Sequence, residues 1–301
     1  MPGLKRLICI TVLASLSACS GGLSIFPSPT PIPPTSTPAP PTATPVPLAL
    51  TVNADGITMD EFNAELARYQ AGQAALGAHP SDQEAAGAVI DEFITQLLLA
   101  QGAAEAGFSL DDAALQARID ALAMKLGSAD KLSAWQQVHG YSDESFRVDL
   151  KREAAAAWMR DKIMSGIPNT ADQVHVRQIL LYNQDSANNY YGQLQAGADF
   201  DELAVQVEIA HYGKSVTRGD IGWFARGYLA EKPVEDAAFA LEPGKISDII
   251  QDKVGFHIIK LIERQANRAL SPDEVLTLQN RAVEEWLANR RQQSSIVLAP
   301  K

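Results

Sequence analysis

An α+β chain, with a mixed strand-and-helix domain set inside an all-helical one and a disordered Pro/Thr-rich tether ahead of both, is the fold class that three features predict. Ten of the 17 prolines fall between Pro27 and Pro47. Between residues 57 and 165 apolar side chains recur at helical spacing behind repeated helix-start signals, whereas from 170 to 266 short strand and helix patterns alternate. The helical texture then returns.

Composition narrows the function before any motif is considered. The chain has 301 residues, 25 Lys+Arg against 36 Asp+Glu, a formal charge of −11 and 46% hydrophobic residues. Phosphate backbones are bound by clustered Lys and Arg, which this balance does not supply, so no nucleic-acid partner is expected. Two cysteines exclude a disulfide scaffold.

Lys5 and Arg6 precede an apolar run from Leu7 to Leu16, and Leu16-Ser17-Ala18-Cys19 closes it with small residues before a cysteine. A run of ten residues is too short to span a bilayer. The pattern resembles the lipobox of bacterial lipoprotein signals. That resemblance implies a signal peptide over 1–18, acylation of Cys19, and a mature chain held on a membrane outside the cytoplasm. An ordinary secretory signal with a chance cysteine is the plainer alternative. Residues 19–47 are then a linker of Pro, Thr, Ser and Ala with almost nothing large and apolar to bury. In polyproline II form, Ser24 to Pro47 would span roughly 75 Å.

Ordered sequence begins at Leu48. Leu48, Leu50 and Val52 alternate as a short strand, and Asn53-Ala54-Asp55-Gly56 reads as a turn. Thr58 stands three residues before Glu61, and Ser81 before Glu84, which is capping-box spacing. Behind Ser81, Ala86, Val89, Ile90, Phe93 and Leu97 share one helical face. Further helices are expected over 111–126, 130–138 and 143–164, completing a helical part over 48–169. The inserted domain, 170–266, reads as strand 174–181, helices 187–195 and 201–207, strand 221–224, helix 234–241 and strand 255–262. Ser271 and Glu274 then repeat the capping box with Pro272 at the first helical position, ahead of an apolar stripe through Val275, Leu278, Ala282, Val283, Trp286 and Leu287. A lone helix cannot bury such a stripe. Residues 267–301 are therefore expected to complete the helical part, with 295–298 pairing onto 48–52.

Five segments of the inserted domain carry a family likeness. Gly219-Asp220-Ile221-Gly222-Trp223-Phe224, Arg226-Gly227-Tyr228-Leu229, Ala237-Ala238-Phe239-Ala240-Leu241, Pro243-Gly244-Lys245-Ile246-Ser247 and Gly255-Phe256-His257-Ile258-Ile259-Lys260 follow one another in order. They resemble the signature blocks of the parvulin-type peptidyl-prolyl isomerases. The flanking helical part, with Val52-Asn53 and Glu285-Trp286-Leu287, resembles the chaperone domain of SurA-like and PrsA-like foldases. The likeness implies an extracytoplasmic isomerase and foldase with unfolded exported polypeptides as partners. A holdase whose isomerase-like domain no longer turns over, and a structural surface lipoprotein, are the alternatives.

Site residues follow from the same likeness. Ile221, Phe224, Leu229, Val234 and Phe239 would surround a proline ring, with Leu229 where the family often has Met and Val234 where many relatives have Phe. Core packing is the alternative for Phe224 and Phe239. His257 matches the histidine of the last strand; by itself, a histidine there reads as a satisfied core residue. Gln178 takes the place of the family's first histidine, and His211 stands nearest its loop Cys or Asp. The catalytic set is thus His257, Gln178 and His211. No metal or cofactor is expected, because His79, His139, His175, His211 and His257 lack ligand spacing.

Overall fold

The structure, a computed structural model, describes residues 46–299. The 1–18 signal, Cys19 and all of the 19–47 linker before Val46 lie outside the described residues. Strands β1 (Leu48–Val52) and β2 (Asp55–Thr58) lead into helices α1 (Met59–Ala75), α2 (Asp82–Glu105), α3 (Asp112–Leu126), α4 (Ala129–Val138) and α5 (Asp143–Met164). There follow β3 (Thr170–Leu181), α6 (Gln184–Gln195), α7 (Phe200–Tyr212), β4 (Asp220–Ala225), α8 (Lys232–Ala240), β5 (Ile250–Gln251) and β6 (Phe256–Ala269). Helix α9 (Pro272–Gln292) and strand β7 (Ile296–Leu298) close the chain.

In the helical part the helix starts follow the sequence signals. Ser81 and Glu84 form a reciprocal capping box on α2, as do Ser271 and Glu274 on α9. At α1 the box is half made. Thr58 accepts from the Glu61 amide, but the Glu61 carboxylate accepts instead from Arg152 of α5 at 2.7 Å, a longer-range partner that spacing alone does not reveal. The expected turn over 53–56 is also shorter than its residues suggest. Asn53 takes a positive φ of 57°, and Asp55-Gly56 already belong to β2, with the fully buried Ile57 paired to Leu50.

β1 is the middle strand of a sheet ordered β2-β1-β7, with Leu50 against Leu298 and Val52 against Ile296. Its inner side chains join Val89, Phe93, Leu97 and Leu98 of α2 in one core. Trp286 and Leu287 of α9 pack against this core and also against a second one containing Leu99, Ala103, Ala156 and Met159. The C-terminal end of the stripe on α9 is thereby spent on α2 and α5.

The second sheet is antiparallel throughout, ordered β4-β3-β6-β5. β3 and β6 pair from Leu181 against Phe256 to Thr170 against Ala269. Both run several residues beyond the strands read from sequence, because the extension pairs residues such as Gln173 with Gln265 in a polar ribbon that carries little apolar alternation.

Two glycine replacements should act in opposite directions on this frame. A Cβ on Gly102 of α2 would lie 2.6 and 2.7 Å from Trp286 ring atoms wedged between the two helical cores, whereas one on Gly72 of α1 would meet nothing within 4 Å. Overpacking at Gly102→Ala should outweigh the helix-propensity gain of about 1 kcal/mol and destabilise by about 1–2 kcal/mol. Gly72→Ala should stabilise by about 0.5–1 kcal/mol. Urea unfolding midpoints measure both; a stabilised Gly102→Ala protein would contradict the packing described.

Candidate active site

Pleat alternation decides which side chains meet at the centre of the second sheet. Gln178 of β3 pairs with Ile259 of β6, and Leu180 with His257, so all four share one face. Ile179, Leu181 and Ile258 take the other face, under Leu194 of α6 and Phe200 and Leu203 of α7. His257 is 4% exposed, and its Nδ1 lies 3.2 Å from Gln178 Oε1.

On its other side, His257 Nε2 lies 3.1 Å from Asp252 Oδ2, which is nearly as buried. This is a close approach without hydrogen-bond alignment, and neither atom has another partner among the described residues. The remaining Asp252 oxygen accepts from the amides of Val254 at 2.7 Å and Gly255 at 3.1 Å. Burial works to raise this carboxyl, but the two amides and His257 outweigh it and hold it below its ordinary value.

In front of Gln178 opens a cavity of about 400 Å³, lined also by Leu180 and Ile221 from the sheet and by His211 and Tyr212 at the end of α7. The His211 ring is tilted against Tyr182 at 4.9 Å, and the Tyr182 and Tyr212 hydroxyls are 3.2 Å apart, so the rim is aromatic. Gln178 therefore touches both His257 behind it and the cavity before it. His211 and Ile221 share the cavity with Gln178, whereas His257 reaches it through Gln178.

The cavity's loop wall is held by Glu208 of α7. Its carboxylate accepts from Ser215 Oγ at 2.5 Å, from the Thr217 hydroxyl, and from the amides of Val216, Arg218 and Gly219 at 3.1, 3.1 and 2.9 Å. Burial works to raise the Glu208 carboxyl, yet these bonds together bring it down to about 2. Gly219 ends the loop with φ +74°, and a Cβ there would sit 2.3 Å from the Gln178 carbonyl oxygen. Glycine is required for β4 to start against Gln178.

The apolar candidates divide into two groups. Phe224 and Val234 are 0% and 2% exposed, packed with Val174, Val176, Ala238, Ile259 and Leu261. They are core, in line with the packing alternative for Phe224. Ile221, Leu229 and Phe239 are half-buried against that core and keep part of their surface outward. Phe239 meets Phe224 edge-on at 6.1 Å and lies 4.3 Å beneath the Arg226 guanidinium.

Residues 181–263 match the family described as Rotamase: PPIC-type PPIASE domain. The chain carries a PPIC-type isomerase domain. Among relatives, the foldase protein PrsA of Geobacillus kaustophilus is 24% identical over 54% of this chain and 59% of its own length. The chaperone SurA of Chromohalobacter salexigens is 24% identical over 73% of this chain and 57% of its own. A crystal structure of the peptidylprolyl isomerase PrsA from Bacillus anthracis is 22% identical, covering 67% of this chain and 95% of that one at a TM-score of 0.44. The chain thus spans just under three fifths of these two curated relatives.

Sequence reasoning missed two carboxylates of the PPIC-type domain. Asp252 carries a weak local signal, since Asp followed three residues later by Gly is a common turn in which the side chain caps nearby amides. Glu208 carries none, because its partners stand seven to eleven residues later on a loop of no fixed pattern.

A carboxyl held below its ordinary value stabilises the fold above that value, and this contribution disappears as pH falls through the depressed one. For Glu208 the window runs from its ordinary 4.5 down to about 2. Melting curves of the wild type and Glu208→Gln should therefore differ by a constant amount above pH 5 or so, with the wild type more stable, and converge toward pH 2. A gap that stays constant through the acid range would remove Glu208 from the loop's support.

Proposed function

We propose that the chain is an extracytoplasmic, lipid-anchored peptidyl-prolyl cis-trans isomerase and foldase acting on X-Pro bonds of unfolded exported proteins. One observation carries the reading: just ahead of the PPIC-type match over 181–263, Gln178 joins that domain's buried His257 to an open cavity with an aromatic rim. The relatives' names, foldase and chaperone, support unfolded chains as substrates. The Cys19 pattern supports the anchor, and no helix among the described residues is long and apolar enough to cross a membrane. In this reading residues 170–266 are the isomerase domain, while 48–169 and 267–301 form one chaperone-like domain.

The chemistry asks little of the protein in bond making. Resonance keeps the X-Pro amide planar behind a barrier of about 18–20 kcal/mol, and rotation breaks no bond to carbon. Any group that favours the twisted amide over the planar one lowers the barrier. Twisting localises the nitrogen lone pair, so a polar group fixed beside the bond gains in strength where water is excluded. Gln178 can supply such a group, since its amide both donates and accepts. His257 would fix that amide from behind, His211 would stand at the cavity mouth, and the aromatic rim would hold the pyrrolidine ring. Ile221, Leu229 and Phe239 would shield the carbonyl, with Phe224 and Val234 supporting them from the core.

A specific observation favours a second reading, a chaperone that binds without turnover. Gln178 stands where the family has a histidine, and full burial of Phe224 and Val234 leaves a shallow apolar surface. Protease-coupled measurement of cis-to-trans conversion on X-Pro peptides separates the two. The isomerase reading expects conversion above the thermal background, with His257→Ala reducing kcat/KM by about tenfold or more. Background conversion together with suppressed client aggregation would establish the holdase instead.

A further inference from the structure

The turn joining β4 to α8, Gly227 to Leu229, is gripped from two sides by opposite charges. Within the isomerase domain, the Glu235 carboxylate is 5% exposed and accepts from the Gly227 amide with both oxygens at 2.9 Å and from the Leu229 amide at 3.2 Å. From the other side, Arg281 of α9 donates through Nη1 to the Gly227 carbonyl and, at 2.9 Å, to the Leu229 carbonyl. The bonded groups alternate along the chain, so that the amides of Gly227 and Leu229 face the anion while the carbonyls of the same two residues, in the next peptide units, face the cation, and the turn is held from both edges. Helix and turn also approach closely. Gly227 has φ +85°, and a Cβ there would stand 3.1 Å from Leu278 of α9.

At its far end α9 is fastened to the helical part. Arg291 reaches Asp91 and Thr95 of α2, each at 3.1 Å, and Trp286 packs against both helical cores. The helix is a strut with one end on α2 and the other on the turn that carries Leu229.

We infer that Arg281 is a positioning residue that ties the helical part of the chain to the wall of the isomerase site set by Leu229. Among the described residues its guanidinium hydrogen-bonds to backbone carbonyls alone. Removing it frees two carbonyls, loosens one side of the turn whose amides Glu235 holds from the other, and lets Leu229 move. The kinetic side of this inference rests on the isomerase reading above; the mechanical side does not.

Arg281→Met keeps the aliphatic stem and removes every donor, whereas Arg281→Lys keeps a charge and a single ammonium group. Amide hydrogen exchange at Gly227 and Leu229 should accelerate by about tenfold in Arg281→Met, as expected for losing bonds to a charged group. Central amides such as that of Ile259 should exchange at the wild-type rate. On an X-Pro peptide KM should rise several-fold with kcat nearly unchanged, and Arg281→Lys should recover part of both effects. Wild-type exchange at both turn amides in Arg281→Met would overturn the inference. So would uniform acceleration across the sheet with no recovery in Arg281→Lys. Should Arg281→Met fail to fold, faster exchange at the same two amides in Arg281→Lys supports the coupling, and unchanged exchange there overturns it. A wild type without turnover defeats the isomerase reading, while the exchange result still decides the coupling.

Discussion

Pairing between β3 and β6, from Leu181 against Phe256 to Thr170 against Ala269, decides which residues of the isomerase domain can meet. A pleat with a period of two cannot put neighbouring residues on one face, so Gln178 and His257 are brought together by the same register that sends Ile179 and Ile258 to the opposite core. A slip of one residue would exchange the polar pair for an apolar one. Position and chemistry are therefore fixed by a single ladder, flanked by β4 on one side and β5 on the other.

Around that ladder, three carboxylates hold backbone amides. Glu208 holds the loop before β4, Glu235 holds the turn after it, and Asp252 holds the turn before β6. Amide-to-carboxylate bonds are charge-assisted and short-armed, so they fix a loop's path more tightly than a long lysine could. Each of the three stands beside a proposed site residue: Glu208 beside His211 and the cavity, Glu235 beside Leu229, Asp252 beside His257. Irregular segments gain rigidity where the proposed chemistry needs a fixed polar environment. The chain's acidic balance is thus partly internal scaffolding and not just solvated surface.

Between the two sheets of the chain, α9 carries the connection. Its stripe, legible as an amphipathic pattern, packs on α2 and α5, while Arg281 and Leu278 at its other end reach the Gly227 turn. One helix thereby serves two partners along its length, which a hydrophobic stripe by itself does not reveal. Through these contacts α9 ties Leu229 to the helical part.

Local rules made most elements legible. Ser81, Ser142 and Ser271 start helices because a side-chain oxygen can satisfy a free amide three residues on, and the alternation around Val174 and Ile258 marks strands because one face must be dry. β2 escaped because Asp55-Gly56 looks like a turn, and the polar ends of β3 and β6 escaped because their support is backbone pairing. What the sequence determined by itself was the order of most elements and the two blocks of texture. Tertiary structure alone decided that Phe224 and Val234 fill the core while Ile221, Leu229 and Phe239 keep surface, that Glu61 serves Arg152 and not its own helix start, and that Arg281 clamps a turn 54 residues away. Burial and charge pairing depend on what arrives from distant parts of the chain, and no local spacing records it.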